Sequence, residues 1–238
     1  MRHILLAFPA LMLSSCGHAE SGSSATGSRS FDLVGFEQVA LRGSDDVHVV
    51  TGKSFSVSAT GPQSELDQLE IEVDGDTLKV GRKSTSPWHI GWSRDSKGVV
   101  VTVTMPSIRG ARLAGSGDMT VEGATADVFK GSLAGSGDLK LGNVQAKAVE
   151  LNLAGSGDIE VSGKTGLVKI SGAGSGDVRA KALEAETADI SLAGSGSVGA
   201  RATGDASVSI LGSGDVEISG TNKCKTSKLG SGSVTCTA

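Results

Sequence analysis

The chain has 238 residues, a formal net charge of −4 and 35 glycines, and only 3% of its residues are aromatic. This length corresponds to one or two domains, and the glycine content is about twice the usual share. Lysines and arginines are scattered and form no basic patch interleaved with aromatic residues, so the sequence argues against a nucleic-acid partner.

Residues 1–15 have the composition of an export signal. A short polar start precedes an apolar stretch over 4–13, which is too short to span a bilayer as a helix. This stretch ends in the letters LSSC, whose cysteine is Cys16. The ending resembles the bacterial lipobox, and the resemblance implies cleavage before Cys16 and lipidation of that cysteine. The alternative is an ordinary secretory signal.

A lipid on Cys16 would make the membrane the first partner of the protein, because two or more acyl chains give stable anchoring. Residue 17 is Gly rather than Asp, a pattern that usually indicates an outer membrane lipoprotein in the bacterial cell envelope. The sequence leaves open whether the protein faces the periplasm or the outside. Residues 16–30 combine the anchor with a Gly/Ser-rich stretch that predicts a flexible linker.

Residues 31–110 predict a less regular β region. Alternating apolar residues indicate strands at Asp46–Val50, Phe55–Ala59, Leu69–Val73, Thr77–Val80 and Val99–Met105. A short helix or turn is predicted over 63–68, directly after Pro62. The letters GSD at 43–45 and GD at 75–76 look like degenerate copies of a turn that recurs later in the chain.

Both tryptophans, Trp88 and Trp92, fall in a loop predicted over 83–97. One interpretation is that the rings cover the open edge of the first β layer, because tryptophan is usually largely buried. The other is an exposed ligand platform on which a sugar or a peptide stacks.

Residues 111–238 repeat one tetrapeptide seven times. Five copies read GSGD and two read GSGS, at intervals of 18 to 20 residues. Their first glycines are Gly115, Gly135, Gly155, Gly174, Gly194, Gly212 and Gly230. A fixed period of this length is typical of a solenoid, in which each repeat is one coil stacked on the next.

Apolar and polar residues alternate around each tetrapeptide. Val149, Leu151 and Leu153, for example, alternate with Glu150 and Asn152. Period 2 indicates strands, and identical turns at one period indicate stacked coils rather than hairpins. The sequence therefore predicts an all-β, single-stranded parallel β-helix with 18–20 residues per coil, following the less regular N-terminal β layer.

The glycines of the tetrapeptide suit a corner, which often needs a positive φ or a close approach to the coil below. We expect Gly157 in the third copy to need a positive φ, so that a β-branched residue there would be strained.

The last position of each tetrapeptide should form a ladder up the stack. Its members are Asp118, Asp138, Asp158, Asp177, Ser197, Asp215 and Ser233. The ladder could bind calcium, cleave a polysaccharide with the help of calcium, or accept hydrogen bonds from turn amides. Serine at two positions favours the structural ladder, because serine accepts a turn hydrogen bond but is a poor calcium ligand. We expect no metal and no catalytic residue, although calcium binding stays open.

Two cysteines flank the last tetrapeptide at equal distances. Cys224 lies six residues before Gly230 and Cys236 lies six residues after it, both at positions that face the core in earlier coils. Because export permits disulfides, this spacing predicts a Cys224–Cys236 bridge that closes the last coil. The alternative is a pair of buried thiols. A zinc site is disfavoured, because no histidine follows His89.

Taken together, these features resemble the bacterial family called putative auto-transporter adhesin, head GIN domain. The likeness is carried by the leader and lipobox, the irregular β start with its Trp-containing loop, the strand over 99–106 ending in Met-Pro, and the LAGSGD repeats. It covers about residues 31–220. The resemblance implies a right-handed parallel β-helix and surface adhesion, and it supplies no catalytic residues.

The expected function is therefore that of a lipid-anchored envelope module for binding, adhesion or structure, without catalysis or cofactor. Its expected partners are the membrane, reached through the N-terminal lipid, and a cell-surface glycan or protein. The alternative is an envelope protein that binds or cleaves a polysaccharide.

Overall fold

The computed structural model describes residues 26–83 and 98–238. The predicted signal peptide and most of the predicted linker lie outside these ranges. Within them, no helix is long and apolar enough to cross a bilayer.

The described residues form seventeen strands in a single sheet and one short helix. The strands are β1 Thr26–Phe31, β2 Gln38–Gly43, β3 Asp46–Thr51, β4 Ser56–Pro62, β5 Leu69–Asp74, β6 Thr77–Arg82, β7 Val100–Met105, β8 Gly110–Gly115, β9 Met119–Gly135, β10 Leu139–Gly155, β11 Ile159–Gly174, β12 Val178–Gly194, β13 Ser197–Ala202, β14 Ala206–Gly212, β15 Asp215–Ser219, β16 Cys224–Leu229 and β17 Val234–Thr237. The helix is α1 Gln63–Gln68.

The repeat region is a stack of parallel coils, as predicted. Each of β9 to β12 runs 16 or 17 residues, from just after one tetrapeptide turn to the first glycine of the next turn. Neighbouring coils pair in parallel and nearly residue for residue, so that Gly135 pairs with Gly155 and Gly155 with Gly174. The predicted single-stranded parallel β-helix is confirmed.

The core lies inside the coils and consists mainly of aliphatic side chains. Val149, Val168, Ala188 and Ala206 occupy one register position in successive coils, and all four are buried. Period 2 alternation places one side of each strand in this core and the other in solvent. Each coil therefore contributes to a core shared with its neighbours.

The N-terminal strands build the first layers of the same stack in an order that differs from the chain order. β2 and β3 pair in parallel with β8 and β9 on one side. On the other side they pair in parallel with β6 and β7. The β2–β3 layer is therefore inserted between two later segments of the chain. β5 pairs antiparallel with β6, and β4 pairs antiparallel with both β7 and β1.

The helix predicted after Pro62 is confirmed: Pro62 is the N-cap residue and Leu66 is buried.

Two expectations about the N-terminal region were wrong. The predicted linker over 16–30 ends too late, because β1 begins at Thr26 and pairs with β4. The Gly75-Asp76 pair is not a coil corner but the turn of the antiparallel β5–β6 hairpin. The strand β2 was not anticipated.

Candidate functional site

The tetrapeptide turns require glycine for two different reasons. Gly155, a first glycine, has a φ of 133°, and a Cβ there would lie 2.2 Å from the carbonyl oxygen of Gly135. Gly157, a second glycine, has no positive φ, but a Cβ there would lie 2.0 Å from the carbonyl oxygen of Gly137. The expectation that Gly157 needs a positive φ was therefore wrong, and close approach of the backbone below is the reason.

The close approach of successive turn backbones allows hydrogen bonds to form between them. The carbonyl oxygen of Gly135 accepts from the amide of Ser156 at 2.9 Å and from the amide of Gly157 at 3.1 Å. The carbonyls of Gly43, Gly115, Gly155, Gly174 and Gly194 accept in the same way from the next turn. The stack of these turns therefore begins at Gly43, which confirms that residues 43–45 belong to a degenerate copy of the turn.

Four of the five aspartates in the predicted ladder accept a hydrogen bond from a turn amide, namely Asp118, Asp158, Asp177 and Asp215. The amide of Asp138 donates to Asp118 Oδ1 at 3.0 Å, and the amide of Ser197 donates to Asp177 Oδ1 at 2.9 Å. Equivalent bonds join Asp177 to Asp158 and Ser233 to Asp215. The ladder also starts one coil earlier than predicted, because the amide of Asp118 donates to Asp46 Oδ1 at 3.1 Å. Asp46 is the last position of the degenerate copy, and that alignment could have revealed it.

A guanidinium neutralises the middle of the ladder. Arg179 Nη2 lies 2.9 Å from Asp158 Oδ2 and 3.5 Å from Asp177 Oδ2. The hydrogen bond to Asp158 raises the pKa of Arg179. Across residues 26–83 and 98–238, no three His, Cys, Asp or Glu residues are grouped so as to hold a metal ion. The hydrogen bonds of the ladder run along the stack, from the amide of one turn to the carboxylate of its neighbour.

The first turn contains an ion pair whose carboxylate is buried, and the sequence did not predict this pair. Asp45 occupies the place of the second glycine in the first turn and is fully buried. Its carboxylate accepts from Arg82 Nε at 2.9 Å and from the amide of Val99 at 3.0 Å. Arg82 also bonds to Glu65. The hydrogen bond to Asp45 raises the pKa of Arg82. The only signal in the sequence was an Asp where later copies have Gly.

The disulfide between Cys224 and Cys236 is present, which confirms the prediction. Cys224 pairs in register with the buried Ala206, and Cys236 pairs with the buried Ile218. Both cysteines pack partly buried against the core. The bridge therefore joins the two strands of the last coil.

One surface of the solenoid, which we call the outer face, consists of the outward-pointing residues of the strand segments that end at the first glycines. One of its rows, which we call the hydroxyl row, consists of residues that pair in register from each coil to the next: Ser132, Asn152, Ser171, Ser191, Ser209 and Ser227. A second row is Ala134, Ala154, Ala173 and Ala193, followed by Leu211 and Leu229. Within the described chain, no side chain of the hydroxyl row makes a hydrogen bond to protein.

Three predicted site residues, Cys16, Trp88 and Trp92, lie outside the described residues. Their roles in lipidation and ligand stacking stay predictions. His48 is exposed on β3.

Solved structures of bacterial proteins share this fold. A putative adhesin from Bacteroides fragilis has a TM-score of 0.82 at 21% identity, over 90% of this chain and 98% of its own. A putative lipid binding protein from Parabacteroides distasonis has a TM-score of 0.70 at 24% identity, over 91% and 98%. A putative adhesin from Parabacteroides distasonis has a TM-score of 0.70 at 18% identity, over the same shares.

At these identities the likeness concerns the fold alone. Among curated proteins, none matches this chain. The sequence pattern of a bacterial family matches residues 35–222, which is most of the chain, and the protein therefore belongs to the family described as putative auto-transporter adhesin, head GIN domain.

Proposed function

We propose that this protein is an adhesion module of the bacterial cell envelope, held at the outer membrane by a lipid on Cys16 and acting by binding rather than catalysis. Its contact surface is the outer face of the solenoid. Membership of the adhesin family and the likeness to solved structures described as adhesins support this assignment.

The hydroxyl row carries the proposal. Its six side chains repeat at one position in successive coils, so neighbouring members lie about 4.8 Å apart. Serine and asparagine side chains both donate and accept hydrogen bonds. A repeated row of this kind beside small alanines suits an extended polar partner, which can make the same contact several times.

The test uses a bacterial host that does not adhere by itself and that expresses the full chain. Asn152→Lys combined with Ser191→Lys places two long charged side chains in the hydroxyl row. We expect the number of cells retained on a glycan-coated or host-cell surface to fall at least fivefold. Retention unchanged by this double variant would contradict the outer face as contact surface.

The control is Gln145→Lys, which adds one lysine to β10 at an exposed position outside the outer face. Gln145 lies two residues after Asn143, whose φ of 51° marks a second left-handed turn in this coil. It is therefore not among the outward-pointing residues that directly precede Gly155. We expect this variant to adhere like the original protein. Circular dichroism melting of all variants checks that the fold is retained.

A further inference from the structure

A depression lies where the β5–β6 hairpin extends the outer face beyond the regular coils. Its floor includes Ala40 on β2 and Gly81 on β6, and Lys79, the in-register partner of Ala40, also lines it. Its volume is about 470 Å³. We call it the arginine depression, because Arg42 and Arg112 line one side of it.

Arg42 and Arg112 differ from most arginines of the described chain, because neither forms an ion pair with a described carboxylate. The paired arginines are Arg29, Arg82, Arg109 and Arg179. Arg201 is the one other arginine in residues 26–83 and 98–238 that has no such pair. Two of the three free guanidinium groups therefore border the same depression.

Two carboxylates line the opposite side. Glu70 and Glu72 are exposed on β5, and neither forms an ion pair within the described ranges, whereas their neighbour Asp74 pairs with Lys79. Glu72 and Arg112 belong to one register row, in which Lys79 on β6 and Ala40 on β2 separate them. Three strand spacings put their Cα atoms about 14 Å apart. In the next row Gly81 alone separates Arg42 from Glu70, and two strand spacings put their Cα atoms about 10 Å apart.

The depression continues directly into the hydroxyl row. Arg112 pairs in register with Ser132, the first member of that row. A chain molecule seated between the arginines and the glutamates can therefore extend along the outer face and meet a hydroxyl or amide in each coil.

We propose that the arginine depression binds a carboxylate of an acidic polysaccharide whose remaining hydroxyls bind Glu70, Glu72 and the hydroxyl row. This assignment rests on the adhesion function proposed above and names its ligand class. A guanidinium presents a planar pair of N–H donors that matches a carboxylate, and the two acidic side chains accept hydrogen bonds from sugar hydroxyls.

The positions of the charged side chains further limit which acidic polysaccharides fit the arginine depression. Lys79 lies in register opposite Glu72, but its charge is already paired with Asp74. A polymer with an anionic group on every unit would therefore place charge beside Glu70 and Glu72, where like charges repel. A glycan that alternates a uronate with a neutral sugar avoids this repulsion. Its carboxylate can lie between the two arginines while the neutral sugar faces the glutamates.

The test titrates the full chain, purified in detergent micelles, with a hyaluronan tetrasaccharide, which alternates uronate and neutral sugar. Isothermal titration calorimetry measures the dissociation constant. We expect binding, and we expect Arg42→Ala and Arg112→Ala each to weaken it about tenfold, the effect typical of losing a charge-assisted hydrogen bond. Arg112→Lys keeps the charge but loses the planar donor pair, and it should weaken binding by a smaller factor.

The controls are Arg201→Ala, which removes the third free guanidinium, and the methyl ester of the same tetrasaccharide. We expect Arg201→Ala to bind normally and the ester to bind at least tenfold more weakly. Absence of binding, equal binding of the ester, or an equal loss with Arg201→Ala would each overturn the proposal. If cells still adhere through the outer face while the tetrasaccharide does not bind, only this ligand class fails and the adhesion function stands.

Discussion

At the scale of single residues, the space above each turn carbonyl limits which residue type can occupy the turn of the next coil. Second glycines such as Gly137, Gly157 and Gly176 would each place a Cβ 1.9–2.0 Å from a carbonyl oxygen of the coil below. No rotamer change relieves such a contact, because the Cβ and the carbonyl both belong to rigid backbone. The spacing between coils, set by sheet hydrogen bonds, therefore dictates glycine at this position.

We predict that Gly157→Ala lowers the free energy of unfolding by about 2 kcal/mol or more, because the stacked turns must move apart. Gly142→Ala is the matched control in the coil below, since its Cβ would lie at an ordinary 3.5 Å from the nearest carbonyl oxygen, that of Val121. Urea denaturation measures both. Similar losses in the two variants would contradict the close-approach account.

The buried carboxylate of Asp45 gives a second prediction. Asp45→Ala removes the acceptor of both Arg82 and the Val99 amide, and we expect a loss of about 2–3 kcal/mol, because a buried amide loses its partner while the partly exposed Arg82 keeps Glu65. Asp67→Ala is the control, because Asp67 pairs with Arg29 at the surface and should contribute about 1 kcal/mol or less. Thermal and urea unfolding compare the two. Equal effects would show that burial of Asp45 has no energetic consequence.

Asp215 gives a pH prediction. The hydroxyl of Ser233 donates to its carboxylate at 2.7 Å and the amide of Ser233 donates at 2.8 Å, and together they lower the pKa of Asp215. A lowered pKa in the folded state means that this stabilisation is present above the pKa of the unfolded state. It is lost as the pH falls through the folded-state pKa.

We expect NMR titration of the Asp215 side chain to give a pKa below the ordinary value, and Ser233→Ala to raise it towards that value. Ser231→Ala is a suitable control, since Ser231 is an exposed serine of the same turn that makes no described side-chain hydrogen bond. A pKa unchanged by Ser233→Ala would mean that the hydroxyl bond does not persist in solution.

At the scale of elements, the last coil must end the stack. Thr226 and Lys228 in β16 pair in register with the buried Val208 and Ile210, but both are exposed, so the apolar positions of the preceding coil are polar in the final strand. A lysine on an edge strand discourages the addition of another strand. The last coil consequently has less core of its own, and the disulfide compensates by joining β16 to β17.

We predict that Cys224→Ser combined with Cys236→Ser destabilises the protein by about 2–3 kcal/mol, the effect expected for a loop of this size. Hydrogen exchange should rise mainly in β16 and β17, because the other coils keep their neighbours. Mass spectrometry of the non-reduced protein should show the linked peptide. Labelling of both thiols in protein isolated from the envelope would contradict the bridge.

At the scale of the whole molecule, the N-terminal layers close one end of the solenoid, and the described part of the chain starts there with β1. β1 lies at the outside of the first layers, paired only with β4 in the described sheet. Residue 26 is ten residues beyond Cys16, so a lipid on that cysteine would tether the protein by this end. The outer face, which runs the length of the stack, would then extend away from the membrane.

We predict that Cys16→Ala moves the protein from the membrane fraction to the soluble fraction or leaves an unlipidated precursor. Fractionation followed by immunoblotting measures this. Cys224→Ser serves as control, because loss of a cysteine at the far end should leave the protein in the membrane fraction. A Cys16→Ala protein that still fractionates with membranes would show that the anchor lies elsewhere.

The sequence by itself determined the repeat region, because each coil there repeats the local pattern of the one before. Gly155 and Gly174, or Val149 and Val168, mark one position in successive coils, so the spacing alone gave the register. The same reasoning placed Cys224 and Cys236 opposite each other. It assigned the turn glycines correctly but gave the wrong reason for Gly157, because the distance to the next backbone is not a local property.

Only the tertiary structure decided the N-terminal layers and the sites that depend on them. Asp45 and Arg82 are 37 residues apart in sequence, and they meet because the β2–β3 layer is inserted between β6–β7 and β8–β9. The same insertion brings Arg42 beside Arg112 in the arginine depression. The order of these layers cannot be predicted from a sequence repeat, because it results from pairing between strands that are distant in sequence. That pairing depends on how much apolar surface the layers bury together.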